Sequence, residues 1–342
     1  NFLITDQHDK AIEAFTEAVQ ANAESLELHF ALGSLFRRSG EVDRAINLHL
    51  SLLDRKELPA PQREAIKAEL AQDYLKAGLF DRAEELFSSL DQSRYQQPAL
   101  RALLEIYVRE REWHRAVKVA TELERISGIP FRKEIAQYYC EMAVKSILDQ
   151  DLHTARHELE MALDANKNCV RANIMLGEME ANNKAHKMAI GFWKRIEFQN
   201  PAFLGIVAHK LLNSYRELGQ LEEGVNLLKQ YAQTYKLPSL MAVVFEITLT
   251  EEGADSAARM AIDELERKPS LQTLDQLLKA RGLQAEPNTD NGLMQQTVRY
   301  AIGNRSAYCC EQCGFKARNF HWQCPACNAW EALPAELKET TL

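Results

Sequence analysis

The sequence predicts an all-α protein, a superhelical stack of helical pairs closed by a small metal-folded module. Three observations predict it. A six-residue phrase recurs at near-constant spacing over residues 1–268, the composition favours helices, and five of seven cysteines crowd into residues 308–330. Hydrophobic residues make up 46% of the chain but aromatics only 8%, and 14 glycines and 10 prolines in 342 residues are too few for a turn-rich or disordered chain.

The phrase reads GEVDRA (40–45), GLFDRA (78–83), REWHRA (111–116), QDLHTA (150–155), KAHKMA (184–189), GQLEEG (219–224) and GADSAA (253–258), with a relative in TDQHDKA ending at Ala11. Its closing small residues step by 34, 38, 33, 39, 34, 35 and 34, and a 34-residue step is the tetratricopeptide period. Each phrase is expected to be a turn between two amphipathic helices. Twelve residues before the closing position another small residue recurs (Gly33, Ala71, Ala143, Gly177), and four after it a large apolar one (Phe15, Phe87, Leu159, Trp193, Leu228, Ile262). Small faces small where paired helices cross closely, and the large residue fills the space beside them. Pro201 and Pro269 fall near unit ends, where a helix should stop. Residues 1–268 therefore read as about eight tetratricopeptide units, the first one truncated at Asn1, with the natural protein expected to begin further upstream. Residues 269–303 hold two more amphipathic segments, SLQTLDQLLKA and GLMQQTVRYAI, expected to cap the solenoid.

First helices of such units line a concave groove. The repeat register places Phe30, Ser34, Arg37, Arg38, Gln72, Lys76, Arg101, Glu105, Arg109, Arg171, His209, Asn213 and Arg216 on it. The cationic and His members (Arg37, Arg38, Lys76, Arg101, Arg109, Arg171, His209, Arg216) are candidate partner-binding residues, because arginines grip acidic segments and carboxylates through paired hydrogen bonds. Each is equally at home as a solvated helix position.

Residues 304–342 carry Cys310-x2-Cys313 and Cys324-x2-Cys327, ten residues apart. Two such pairs suit one tetrahedral four-thiolate site for zinc or iron. A thioredoxin-like centre would instead need a single pair opening a helix in a βα unit. Cys309 is left over, since pairing it with Cys313 breaks the symmetry of the two spacings. Gly314 and Asn328 follow the two pairs where positive φ would turn backbone N–H groups toward sulfur. So small a module folds largely on its metal. Phe315, Phe320, Trp322 and Trp330 exceed what it can bury, so they are expected to dock on the solenoid.

A formal net charge of −8 overall, and a balance of zero within 304–342, exclude a nucleic-acid-binding surface as the leading reading. No apolar run reaches the length of a membrane span. His153 and His157 lie four apart but lack a third ligand, and Cys140 and Cys169 read as buried apolar residues. No phosphate-binding loop, HExxH, GxSxG or dinucleotide pattern occurs, so the chain is expected not to be an enzyme.

Helical repeats followed by Tyr308, Cys310, Cys313, Gly314 and Phe315, then Trp322, Cys324, Pro325, Cys327 and Trp330, resemble the lipopolysaccharide assembly protein B family. Its C-terminal part is called rubredoxin-like. The gap between the pairs is far shorter here than in free-standing rubredoxins, so their electron-transfer role is not carried over. The resemblance implies a non-enzymatic regulator of lipopolysaccharide biosynthesis, held by a single N-terminal anchor, absent from this chain, on the cytoplasmic side of the inner membrane. Implied partners are the membrane-bound AAA+ protease FtsH, the lipid A pathway deacetylase whose degradation the family promotes, and an inner-membrane protein that senses lipopolysaccharide. Homodimerisation is left open. The competing expectation is a general peptide-binding co-chaperone with a structural metal, and a third is a redox or nucleic-acid sensor.

Overall fold

The computed structural model describes residues 2–55, 58–284, 289–336 and 338–339. It divides within one helix into two compact units, residues 1–142 and 143–342.

The first unit contains α1 (Phe2–Ala21), α2 (Leu26–Ser39), α3 (Val42–Leu53), α4 (Ala60–Ala77), α5 (Phe80–Ser88), α6 (Gln96–Arg109), α7 (Trp113–Ser127) and most of α8 (Arg132–Leu148). The TDQHDKA segment is not a turn: α1 runs through it without a break. That stretch holds neither glycine nor proline, a composition it shares with REWHRA, QDLHTA and KAHKMA, where the chain does turn. Between the later pairs the chain does turn. A residue with positive φ sits five places before each closing small residue, at Gly40, Gly78, Arg111, Gln150, Lys184, Gly219 and Gly253. Four of the seven are glycine, which takes this conformation without the Cβ penalty that Arg111, Gln150 and Lys184 carry.

One network in the first unit was not visible in the repeat pattern. His49 occupies the slot filled elsewhere by a large apolar residue, and Gly33 crosses directly beneath its ring. His49 Nδ1 lies 2.5 Å from Asp73 Oδ2, and Arg37 donates to Asp73 Oδ1 at 2.5 Å and to Glu69 Oε2 at 2.8 Å. His49 and Asp73 are wholly buried, and His49 Nε2 has no hydrogen-bond partner among the described residues. Among the described residues the ring is thus held through Nδ1 alone, at the Asp73 carboxylate.

The second unit continues with α9 (Leu152–Ala165), α10 (Val170–Asn182), α11 (His186–Lys194), the short α12 (Ile196–Gln199), α13 (Leu204–Glu217), α14 (Leu221–Tyr235), α15 (Pro238–Glu251), α16 (Ala254–Arg267), α17 (Leu271–Gln284) and α18 (Thr289–Arg305). A single turn of 3-10 helix, Pro201–Phe203, links α12 to α13. Asn200 caps it by accepting the Ala202 N–H at 3.1 Å. The core here is built from Val170, Ile174, Trp193, Phe203, Leu211, Leu228, Tyr231 and Leu240, among others. Trp193 is 1% exposed, donates its indole N–H to the Ile174 carbonyl at 3.2 Å, and lies against Gly177, where a Cβ would fall inside the indole. Gly177→Ala is thus expected to force the helices apart and to cost about 1–3 kcal/mol, read from the shift of the denaturant midpoint. An unchanged midpoint would mean that α10 and α11 do not cross so closely.

After α18 come three short strands, β1 (Ser306–Cys309), β2 (Lys316–Ala317) and β3 (Lys338–Glu339), in an antiparallel sheet of order β2-β1-β3. Tyr308 pairs with Ala317 and Cys309 with Lys316, so the reversal between β1 and β2 carries the first cysteine pair.

Candidate metal centre

Two matching turns make the site. In the first, the Cys310 N–H donates to the Phe315 carbonyl at 2.8 Å and the Gly314 N–H returns to the Cys310 carbonyl at 2.9 Å. In the second, Cys324 pairs with Ala329 and Asn328 with Cys324 in the same pattern, both at 2.8 Å. Gly314 (φ 74°) and Asn328 (φ 59°) supply the positive φ that each turn needs. Both turns aim their sulfurs inward. Cys310, Cys313, Cys324 and Cys327 have their four Sγ atoms within 4.8 Å of one another. Cys310 lies 3.7 Å from Cys327, and Cys313 lies 3.7 Å from Cys324.

Those distances test the fit. Metal–sulfur bonds of about 2.3 Å in a tetrahedron give edges of about 3.8 Å, whereas a disulfide would bring sulfurs to about 2.05 Å. The four thiols therefore suit one tetrahedral ion. Cys309 stands outside the set, its Sγ 3.8 Å from the Gly314 carbonyl. Among the described residues no other group of His, Cys, Asp or Glu is placed to hold a metal, and His153 and His157 are simply exposed.

Backbone dipoles prepare the sulfurs unequally. The Cys313 N–H donates to Cys310 Sγ and, against the opposing effect of burial, holds that thiol down to about 7. Cys313 moves the other way. The Phe315 N–H favours its thiolate, yet burial and the neighbouring sulfurs together push it up to about 12. Four thiolates cannot crowd together without a cation, so ion binding must expel protons. Below about pH 7 Cys310 adds one more proton to those released, so the fall of apparent metal affinity with falling pH should steepen there by about one power of ten per pH unit. A chelator-competition titration at several pH values would measure it, and a slope unchanged across pH 7 would count against a poised Cys310.

Within the second unit, aromatics join the module to the helices. Tyr308, Phe320, Trp322 and Phe203 form a chain of rings: Tyr308 to Phe320 at 5.8 Å, Phe320 to Trp322 at 5.0 Å, and Trp322 stacked on Phe203 at 5.4 Å with a 6° interplanar angle. The Arg171 guanidinium lies 5.8 Å from the Trp322 ring. Glu336 adds a polar clasp by accepting the Ser239 N–H at 3.1 Å and the Ser239 hydroxyl, which places a carboxylate at the start of α15.

Of the four aromatics expected to dock, Phe320 and Trp322 pack on the helical core. Phe315 does not. It closes the first turn through its carbonyl, which accepts the Cys310 N–H, and its side chain is 37% exposed. Trp330 is buried, its backbone bridged to Gln323.

The candidate groove cations divide by environment. Arg38, Lys76, Arg101, Arg109, His209 and Arg216 are exposed, with Arg109 on Glu105 and Arg216 donating to Asn213 at 3.2 Å. Arg37 is committed to Glu69 and Asp73. Arg171, placed by register on the open groove, is only 8% exposed, and its guanidinium lies beside the ribbon's Trp322 ring. Beside it, a cleft of about 450 Å³ opens between the end of α8, α10, α13 and the ribbon, lined by Ile147, Ile174, Met175, Ile206, Phe320 and Trp322 among others. The sequence held a signal for this cleft in the surplus aromatics, but not for the Glu336 clasp.

The rubredoxin metal binding domain profile matches residues 308–334, and the tetratricopeptide repeat profile matches residues 5–57. The chain is 30% identical over 337 residues to Lipopolysaccharide assembly protein B of Escherichia coli K12, covering 97% of this chain and 87% of that protein. The chain belongs to the lipopolysaccharide assembly protein B family. A second member, from Haemophilus influenzae, is 29% identical over 345 residues with the same coverage of both chains. Among solved structures, the Cut9–Hcn1 hetero-tetramer of the APC/C gives 16% identity over 80% of this chain and 52% of that chain, with a TM-score of 0.31, too low to bear on the argument. As a family member the chain joins tetratricopeptide repeats to a ribbon that can hold one metal ion. No helix of the described residues is long and apolar enough to cross a membrane.

Proposed function

We propose that the chain is a non-enzymatic adaptor in the control of lipopolysaccharide biosynthesis at the inner membrane. In this reading it promotes proteolysis of the lipid A pathway deacetylase by the membrane-bound AAA+ protease FtsH, under the influence of an inner-membrane protein that senses lipopolysaccharide. Residues 1–268 form the repeats, 269–303 the cap and 304–342 the metal module. Cys310, Cys313, Cys324 and Cys327 hold one zinc or iron ion. Exposed cations such as Arg101, Arg109 and Arg216 meet acidic partner segments.

The observation that carries this reading is the dock of the ribbon on the helices, where Phe320 and Trp322 complete the wall of a cleft instead of enclosing a reactive centre. Metal here shapes a binding surface. Trp322→Ala, introduced into the chromosomal copy, should lengthen the deacetylase half-life several-fold while leaving the four ligands intact. Normal deacetylase turnover with the variant protein present at normal level would refute the reading. Retained binding of many unrelated peptides, with lipid A synthesis unaffected, would point instead to a general co-chaperone. The absorption spectrum of purified protein separates a coloured ferric–sulfur centre from colourless zinc.

A further inference from the structure

Away from the ribbon's aromatic dock, a second groove runs along α16. It is about 670 Å³, within the size range of binding clefts. Its floor is apolar and adaptable, made by Met241 and Val244 of α15 and Met260 of α16. It continues into a neighbouring cleft that shares Lys236, Met241, Glu264 and Lys268 and ends at Glu336, the residue that clasps Ser239. From Ser256 to Lys268 the groove follows α16 for about 18 Å, the length of some three helical turns.

Charge sets this groove apart. The repeat forms an equivalent groove in the first unit between α5, α6 and α7, and its charged lining is Asp91, Lys118 and Glu122, an excess of one negative charge. Along α16 the lining is Lys229, Lys236, Arg267 and Lys268 against Glu252 and Glu264, an excess of two positive charges in a chain whose formal charge is −8. Lys229 is paired with Glu252 at 2.7 Å. Lys236, Arg267 and Lys268 have no side-chain partner among the described residues and stand exposed at one end of the groove.

We propose that this groove docks an acidic amphipathic helix of a partner protein, its apolar stripe on Met241, Val244 and Met260 and its carboxylates against Lys236, Arg267 and Lys268. Charge complementarity selects an acidic occupant, and the length and apolar floor select a helix of about three turns. A lipid headgroup fits less well. Glu252 and Glu264 stand among the cations, where a compact phosphate would meet carboxylate oxygens, whereas a helix can space its acidic residues to avoid them. The proposal is independent of the adaptor reading, since it specifies the chemistry of a surface and not the identity of the partner.

The test is selection of a displayed library of random 14-residue peptides on the metal-loaded full chain. Enriched sequences should carry Asp or Glu beside apolar residues spaced three and four apart. Binding of the best synthetic peptide, followed by fluorescence anisotropy, should weaken at least tenfold in the triple variant K236E/R267E/K268E and fall with added salt. A peptide with its acids replaced by lysine should recover binding to that variant. The three side chains are exposed and unpaired, so circular dichroism and metal content should match the parent. Enrichment of basic or uncharged sequences, or less than a tenfold loss in the triple variant, overturns the proposal. So does binding of phosphatidylglycerol vesicles through the same three residues with no acidic peptide enriched, which would make the occupant a lipid surface.

Discussion

Cys324→Ser should empty the metal centre: bound metal falls from about one equivalent to near zero, and the segment around residues 308–336 becomes a substrate for limited proteolysis. Cys324 is completely buried and its Sγ lies 3.7 Å from that of Cys313, so a serine oxygen replaces a soft ligand where no water can compensate. Metal binding in structural zinc modules is worth on the order of 10 kcal/mol, far more than so small a core supplies by itself. The far-UV helical signal should barely change, since the helices have cores of their own. Cys309→Ser is the matched control and should keep full metal content, because that sulfur faces the Gly314 carbonyl. Full metal retention in Cys324→Ser would remove the four-cysteine assignment.

Asp73→Ala should destabilise the first unit by about 3–5 kcal/mol, measured by denaturant unfolding, because it strips a buried carboxylate from two partners at once. His49 would lose the partner of its Nδ1 while its Nε2 has none among the described residues, and Arg37 would keep only Glu69. Replacing the set together, as Arg37→Met, His49→Phe and Asp73→Leu, should recover most of that loss, since apolar residues of similar volume remove the orphaned groups as well. If the single change were harmless, the network would have to be better hydrated than its burial implies.

These two sites differ in how far the sequence reveals them. The cysteine spacing and the residues at 314 and 328 dictate local backbone geometry, and local geometry is what short-range sequence encodes. The closing alanines at 45, 83, 116, 155 and 189 are likewise fully buried, as their recurrence demands. The His49–Asp73 pair spans 24 residues and hides in a slot where other repeats place an apolar side chain. A polar residue in that slot was its one visible sign. Which aromatics dock was legible only in part, because Phe315 and Phe320 are alike in chemistry, yet Phe315 is exposed and Phe320 packs on the helical core. Arg171 sits at a groove position by register, yet it is buried, with the ribbon's Trp322 ring beside its guanidinium. At the start of the chain the phrase TDQHDKA imitates a turn, but the helix runs through it, and no residue of the phrase separates it from the glycine-free phrases that do turn.

Stacked helical pairs touch mainly their neighbours, so such chains can melt one pair at a time from any weak point. The clasp between Ser239 and Glu336 joins positions 97 residues apart, and the Trp322–Phe203 stack ties the same module to the start of α13. Together they span α13 to α15 like a strut across three rungs of a ladder. Those helices lose the freedom to fray singly. With the metal in place, their amide hydrogens should exchange through one shared opening, and chelation should let them exchange separately and faster while α2 to α7 keep their own rates. A metal ion held by four sulfurs would in that way set the cooperativity of helices that never touch it.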